Sequence, residues 1–239
     1  MSTASVAEAT RPTVTGLSAN FMLDGATYAA GGEAGFEGMD FYAAGRGGVL
    51  GDVSADVVTA ALVFFSPSVV AAAWEGSRGV LPRREAAELF AGCLVSWADA
   101  HLGDDVDWFR LAELAGRIVD AASVAGAPVF AGWRDLPVPT EPKAAALHQL
   151  NALRELRMAR HGAAVTALGL DVAQAVVHAS PGLAGIFGWA EVEVGEDVPP
   201  RWDQAEVLTN QATERDYAVL GDDAGEFVAL CAAASASVA

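Results

Sequence analysis

One stretch, from Lys143 to Leu168, reads as a helix of roughly seven turns, because it contains no proline and a single glycine. Successive residues of a helix turn by roughly 100°. One side of this helix therefore carries leucines and cations together, namely Leu147, Leu150, Arg154, Arg157, His161, Val165 and Leu168. The rest of the chain is expected to be organised around this helix.

The cations on this helix allow two interpretations. Arginine is rarely buried without a partner, so the face either meets carboxylates of packed helices or lines a polar cavity. His148 and Glu155, seven residues apart, lie on a neighbouring side with Ala152 and Ala159. No other stretch concentrates so much of the chain's scarce basic charge. The helix is therefore the candidate site, with a purely structural arginine–carboxylate network as the alternative.

The composition predicts an all-α, multi-helix domain. Of the 239 residues, 53% are hydrophobic and only 19% are charged, which is typical of a globular chain. Alanine, the strongest helix former, dominates. Alternating β-branched residues are confined to the EVEV segment at 191–194. Residues 1–15 are expected to form a disordered arm, 16–190 the helical core domain, and 191–239 a C-terminal helical extension packed on that core.

The charge limits the classes of partner. The net charge is −17, with 31 acidic and 14 basic residues and no run of Lys or Arg. An acidic surface repels a phosphate backbone, so nucleic acid is a disfavoured partner. A small anionic metabolite held by two or three arginines is a possible partner. Homo- and hetero-oligomers are also possible.

The sequence predicts no metal and no cofactor. The four histidines are scattered, Cys93 and Cys231 lack ligand spacing, and neither a phosphate-binding nor a dinucleotide-binding glycine motif is present. A signal peptide's basic start and apolar centre are missing from the N-terminus. No segment is apolar over the ~20 residues that a membrane helix needs. A cytoplasmic protein with no membrane partner is predicted.

A weak internal repeat relates residues 51–74 to residues 169–189. Each copy runs from a glycine through a Val-rich helix into Ser-Pro, a short helix and a tryptophan. If the repeat is real, two helical halves face each other around a central polar cavity. Arg46, just before the first copy, would then approach the Arg154, Arg157 and His161 group.

Two further segments supply candidate site residues. Residues 35–51 place Asp40, Tyr42 and Arg46 among aromatic side chains, although Arg46 could equally cap the end of a helix. Residues 126–142, a proline-punctuated connection with Trp133, could form a lid or a cavity wall, or simply pack over the core.

Two blocks of the chain, residues 35–74 and 146–170, resemble a poorly characterised actinobacterial family of all-helical proteins. His148, Arg154, Glu155, Arg157 and His161 occupy the places of a His, an Arg-Glu pair, an Arg and a second His that recur in its second block. Members are catalogued as helix-turn-helix proteins on the strength of a C-terminal winged segment. Here the acidic stretch 190–204 replaces that wing. The resemblance therefore implies the polar cluster more strongly than it implies DNA binding.

The residues that remain suit acid–base and anion-binding chemistry. Arginine binds carboxylate, sulfate or phosphate bidentately, and histidine moves protons near neutral pH. The leading hypothesis is a cofactor-independent enzyme of specialised (secondary) metabolism acting on a small anion by displacement with ring closure, elimination or isomerisation. Its substrate-binding residues would be Arg46, Tyr42, Arg154, Arg157 and Trp133. Its proton-transfer residues would come from His148, His161, Glu155 and Asp40.

Three other functions stay open beside this hypothesis. A carrier, self-resistance protein or sensor would use the same cavity without turnover. A DNA-binding regulator would agree with the helix-turn-helix label. A purely structural partner subunit would need no cavity at all.

Overall fold

A computed structural model describes residues 5–238, and most of these residues are helical. The α-helices are α1 (Val6–Gly16), α2 (Gly25–Glu33), α3 (Met39–Gly47), α4 (Ala55–Ala61), α5 (Pro67–Gly76), α6 (Arg83–His101), α7 (Trp108–Ala121), α8 (Pro128–Arg134), α9 (Pro142–Ala167), α10 (Val172–Ala179), α11 (Ala184–Phe187), α12 (Val198–Tyr217) and α13 (Ala224–Ala236). Short 3₁₀ turns connect several of them. No strand forms within residues 5–238, and the EVEV segment lies in a turn and irregular backbone. The all-α prediction is confirmed.

Helix α9 is the long helix that the sequence predicted, and it occupies the centre of the fold. It begins and ends one residue before the predicted limits, with Pro142 at its first turn, where a missing backbone N–H costs nothing. Leucines on opposite sides of α9 are buried, including Leu147, Leu150 and Leu153. Helices α6, α7, α8 and α12 all pack against it. The remaining helices are therefore arranged around α9.

The prediction of a disordered arm over residues 1–15 is wrong for the part that the structure describes; residues 1–4 lie outside it. The Ser5 hydroxyl accepts a hydrogen bond from the Glu8 N–H and caps α1. The Glu214 carboxylate on α12 accepts another from the Ala7 N–H, 2.8 Å away. Val14 is fully buried where α1 packs against α13 and α12. The small, polar composition suggests disorder, but small residues such as Ala7, Thr10 and Thr13 form the buried face of α1 together with Val14.

The two segments of the proposed repeat touch each other. Each has a helix, a Ser-Pro pair and a second helical element: Pro67 begins α5, and Pro181 begins a 3₁₀ turn that leads into α11. The Ser66 N–H donates to the Phe187 carbonyl at 2.8 Å. The indole of Trp189 donates to the carbonyl of Phe64 at 2.9 Å. The residues after α4 and the residues around α11 are thereby fixed against one another.

Helix α3 reaches the centre of the fold because glycines let it lie directly on α6. A Cβ at Gly45 would overlap the ring of Phe90, and one at Gly48 would overlap the carbonyl oxygen of Arg83. This close contact sets the position of Arg46, which lies between the two glycines.

Within the described residues, no helix combines the length and the hydropathy needed to cross a bilayer.

His148 is a buried histidine of the core. Its side chain is 1% exposed, and its ring centroid lies 5.9 Å from that of Trp133 on α8. Burial disfavours the charged form and lowers the pKa of His148 to about 4, although the backbone of Trp133 opposes the shift. His148 is therefore neutral in the folded protein near neutral pH.

We expect Gly48→Ala to lower the free energy of unfolding by roughly 1–3 kcal/mol, because the new methyl group meets backbone that cannot move aside. Gly92 in α6 is the matched control, since a Cβ added there would have no other atom within 4 Å. Gly92→Ala should raise stability by about 0.5–1 kcal/mol. Urea unfolding measures both changes. Equal effects of the two substitutions would contradict the close packing of α3 on α6.

We expect His148 to make the protein less stable as the pH falls from about 6.5 to about 4. The unfolded chain takes up a proton near pH 6.5 and the folded chain only near pH 4, so the stabilisation is complete above pH 6.5. The loss is of the order of 3 kcal/mol at most, since each pKa unit corresponds to about 1.4 kcal/mol.

Urea unfolding of the wild type and of His148→Leu between pH 7 and pH 4 measures this loss. The variant should lose less stability on acidification. The carboxylates contribute equally to the pH dependence of both proteins, so the difference between the two reports on His148. An identical loss in both proteins would show that His148 takes up its proton equally easily in the folded and unfolded states.

Candidate functional site

A cavity of about 420 Å³ lies between α9, α12 and the N-terminal helix α1. Its remaining wall comes from residues 61–65 at the end of α4 and just beyond it, and from the segment around α10 and α11. The charged and polar side chains that line it are Arg11, Thr15, Arg46, Arg154, Arg157, His161, Ser180 and Glu206. A volume in this range suits a small-molecule ligand.

The inner end of the cavity is a buried ion cluster. Arg46 on α3 donates two hydrogen bonds to the carboxylate of Glu155 on α9, each 2.8 Å long. Arg154 donates a third to the same carboxylate, also at 2.8 Å. The Glu155 side chain is 1% exposed and that of Arg46 is 6% exposed. Burial on its own would raise the pKa of Glu155, but Arg46 and Arg154 outweigh it and lower that pKa below its usual value.

A second ion cluster joins α9 to α12. Arg157, 2% exposed, donates to Glu206 at 2.7 Å and to the side-chain oxygen of Asn210 at 2.9 Å. Arg11 from α1 donates to the same Glu206 oxygen, Oε2, at 3.2 Å. Arg11, Arg157 and Glu206 all line the cavity.

The cavity carries more positive than negative charge. Its arginines are Arg11, Arg46, Arg154 and Arg157, whereas the carboxylates they contact are Glu155 and Glu206. His161 adds no charge at neutral pH, because burial lowers its pKa to about 4. A locally cationic cavity inside a chain of net charge −17 favours a small anion over other ligands.

The proton on His161 can be placed from its neighbours. The Thr209 hydroxyl lies 2.7 Å from the Ala205 carbonyl and 2.8 Å from His161 Nδ1. Two oxygens this close need a proton between them, so Thr209 donates its only proton to Ala205. The hydroxyl then accepts from His161, and Nδ1 carries the ring proton. The neutral ring therefore presents an unprotonated Nε2.

His161 Nε2 faces Glu206 without bonding to it. The distance from Nε2 to Glu206 Oε1 is 3.9 Å, which is too long for a hydrogen bond. Nε2 is buried and has no hydrogen-bond partner within residues 5–238. Burial is the largest cause of the lowered pKa of His161; Glu206 opposes the shift, and Arg157 and Arg11 add to it. The result is a neutral imidazole with a free lone pair at the cavity wall.

The other walls are apolar and aromatic. The ring of Trp202 lies edge-on to His161 at a centroid distance of 4.6 Å, and Phe64 lies 5.5 Å from it on another side. Phe65 and Phe187 pack together at 4.4 Å. Trp202 and Phe64 hold the imidazole in one orientation, and all four rings offer a surface to the carbon skeleton of a ligand.

The structure brings four of the predicted site residues to the cavity: Arg46, Arg154, Arg157 and His161. Glu155 lies behind Arg46 and Arg154 and holds both guanidinium groups. The sequence allowed either an arginine–carboxylate network between packed helices or a polar cavity. Both are present here, because the ion cluster of Glu155 with Arg46 and Arg154 also forms part of the cavity wall.

Two predicted residues support Arg46 from behind. The Tyr42 hydroxyl accepts a hydrogen bond from Arg46 Nη1 at 3.0 Å. The fully buried Trp133 donates from its indole to the Arg46 carbonyl at 3.3 Å. The connection at 126–142 contains helix α8, so Trp133 is packed in the core and is not part of a lid. Both residues position Arg46, and neither lines the cavity.

Two predicted proton-transfer residues lie elsewhere. His148 is on α9, about 20 Å along the helix from His161, since each residue adds 1.5 Å. Asp40 is in the first turn of α3 and packs closely against Gly76, where an added Cβ would overlap the Asp40 carboxylate. Burial, and then Glu37, raises the pKa of Asp40. Neither His148 nor Asp40 lines this cavity.

Sequence reasoning missed the contributions of α1 and α12. Arg11 lies in the segment expected to be disordered. The residues of α12 at the site, Trp202, Glu206, Thr209 and Asn210, lie in the expected C-terminal extension and outside the candidate site. A signal for α12 does exist in the sequence. Trp202, Glu206, Thr209 and Thr213 recur at helical spacing, which places them on one face. Among residues 5–238, no group of three His, Cys, Asp or Glu side chains is arranged to hold a metal ion.

Comparison with known proteins gives one match. No curated protein and no solved structure matches this chain. A family described as a helix-turn-helix family matches residues 7–197, about four fifths of the chain. The match confirms the resemblance to proteins catalogued under that label, and it ends directly before α12. The chain belongs to this helix-turn-helix family.

Proposed function

We propose that this protein binds a small anionic compound of specialised metabolism in the cavity beside α9 and that His161 accepts a proton from it. The observation that carries the proposal is the unprotonated, partnerless Nε2 of His161, which faces a cavity lined by four arginines. The function is that of a cofactor-independent enzyme. Displacement with ring closure, elimination and isomerisation are the reaction classes it would serve.

The arginines support binding of an anion. Glu155 accepts three hydrogen bonds from Arg46 and Arg154, which leaves other donors of the two guanidinium groups for a ligand. Arg154 Nε is buried and has no acceptor among the described residues. A carboxylate, sulfate or phosphate group would supply the missing acceptors through bidentate contacts.

His161 supports proton transfer. Burial lowers the pKa of His161 to about 4, so the ring is neutral near pH 7 and Nε2 has a free lone pair. A bound anion would raise this pKa, because negative charge nearby favours the imidazolium, and would bring it closer to the range in which a general base is effective. The proton would come from an O–H, N–H or C–H group of the bound compound, and the electron pair left behind would form a new bond within the same molecule. Where an anionic group leaves, the arginines would stabilise its charge, and positioning alone lowers such barriers substantially.

Family membership favours a second candidate, a DNA-binding regulator, and a sensor would use the same cavity without turnover. The charge distribution opposes DNA binding. Basic residues outside the cavity that pair with carboxylates are Arg78, Arg84, Arg110, Arg117, Lys143, Arg160 and Arg201. Paired in this way, they have little charge left to neutralise a phosphate backbone.

We expect small aromatic anions to raise the midpoint of thermal unfolding of the wild type. The probes are phenyl phosphate, phenyl sulfate and benzoate, with neutral benzyl alcohol and a short DNA duplex as comparisons. A ligand at about a hundred times its Kd stabilises the folded state by roughly 2.7 kcal/mol. Arg154→Gln should reduce the shift produced by the anions, because it removes a cation from the cavity wall.

Arg78→Gln is the control for this experiment, since Arg78 is 55% exposed and pairs with Glu75 from the turn that follows α5. It should retain the wild-type response. No response to any anion, or an equal response of Arg154→Gln and the wild type, would count against an anion site. Stabilisation by the duplex alone would favour the regulator.

We expect His161→Gln to slow turnover strongly while binding persists. Compounds that bind are incubated with the protein, and their conversion is followed by mass spectrometry. Glutamine keeps a polar side chain but accepts no proton near neutral pH, so the rate should fall roughly a hundredfold or more. His101→Gln, outside the cavity, is the control. Binding without conversion by the wild type would make the protein a carrier or sensor.

A further inference from the structure

We propose that helix α12 determines the class of ligand, by fixing His161 as a hydrogen-bond acceptor so that the cavity selects anions that also carry a hydroxyl or amine group. The inference rests on the proposed function, because it assumes that the cavity holds an anion. It adds the second functional group that the ligand must carry and the residues, Thr209 and Glu206, that require it.

Thr209 is the positioning residue for His161. Its proton is committed to the Ala205 carbonyl in the preceding turn of α12, a 2.7 Å contact within one helix. It can therefore only accept from His161 Nδ1. With Nδ1 protonated, the neutral ring exposes a lone pair at Nε2. A valine at position 209 would remove the acceptor and allow the ring proton to move to Nε2. Glu206 Oε1 could then accept that proton after the two side chains approach each other by about 1 Å.

Glu206 supplies a second acceptor beside the first. Both hydrogen bonds that it accepts from arginine, from Arg157 at 2.7 Å and from Arg11 at 3.2 Å, go to its Oε2. Its Oε1 instead faces His161 Nε2 at 3.9 Å. A carboxylate oxygen and an imidazole lone pair that face each other repel unless a donor lies between them. A ligand hydroxyl or amine would supply that donor.

The cavity is therefore chemically divided. Arg46 and Arg154 offer only donors, which suit an anionic group, whereas Nε2 of His161 and Oε1 of Glu206 offer only acceptors. A ligand with an anionic group alone would leave the acceptors without a partner. Hydroxy acids and amino acids carry both kinds of group, and the aromatic walls offer a surface to an apolar side chain.

Helix α12 is also the part of the site that the family comparison does not cover. The matched residues end at 197, and α12 begins at Val198. Arg46, Arg154, Arg157 and His161 thus lie within the matched segment, and Glu206 and Thr209 lie outside it. This division assigns the cationic cavity to the matched segment and the donor requirement to α12.

The tautomer of His161 is tested first, without any ligand. Nitrogen-15 NMR of the ring distinguishes a protonated Nδ1 from a protonated Nε2, and His161→Gln assigns the signals. The wild type and Thr209→Ser should show the proton on Nδ1, since serine keeps the hydroxyl. Thr209→Val should show it on Nε2. A wild-type ring protonated on Nε2, or an unchanged ring in Thr209→Val, would overturn the inference.

The ligand class is tested with a matched pair, 3-phenyllactate and 3-phenylpropionate, which differ only by one hydroxyl. Calorimetry on the wild type should show phenyllactate, as one of its enantiomers, binding roughly tenfold tighter, the effect of one hydrogen bond of about 1.4 kcal/mol. Thr209→Val should lose this preference and Thr209→Ser should keep it.

The outcomes separate this inference from the proposed function. Equal affinity of the wild type for the two acids would overturn the donor requirement and leave the anion site standing. Preference for phenyllactate that persists in Thr209→Val would overturn the role of α12. If neither acid binds, and phenyl phosphate, phenyl sulfate and benzoate do not bind either, both the anion site and the donor requirement are overturned.

Discussion

The buried pair between Arg46 and Glu155 is the interaction on which the site depends. Removing two charges from water costs several kcal/mol for each ion, and only good geometry with further hydrogen bonds offsets that cost. Here both bonds between the guanidinium and the carboxylate are 2.8 Å long, and Arg154 and Tyr42 add one more each. The pair joins α3 to α9 and holds a guanidinium group at the cavity wall.

The cavity follows from an excess of cations around this pair. Arginine is rarely buried without a carboxylate partner, yet Arg46, Arg154 and Arg157, together with the half-exposed Arg11, contact only two carboxylates here. An excess of buried positive charge is costly in an empty cavity and favourable with an anion present. The fold thus maintains an electrostatic preference opposite in sign to the net charge of the whole chain. The four arginines and Glu155 lie within the segment that the helix-turn-helix family matches, whereas Glu206 on α12 lies outside it.

The sequence and the structure agree best where local properties decide the outcome. Helix α9 was predicted to within one residue at each end, because helix propensity and the lack of interior proline are local. The cationic stripe with Arg154, Arg157 and His161 was also predicted, since helical spacing alone places these residues on one face. The same reasoning could not separate His148 from His161. Both are buried, and only their neighbours show that one belongs to the core and the other to the cavity.

By itself, the sequence determined the all-α class, the central helix and the identity of its polar side chains, because periodicity and propensity act over a few turns. Only the tertiary structure decided that Arg46 pairs with Glu155, 109 residues away, and that Arg11 and Glu206 meet across 195 residues. It also decided the proton position on His161, which depends on Thr209 in a distant helix. Such contacts depend on how helices pack, and helix packing is set by the shape of all the buried side chains together.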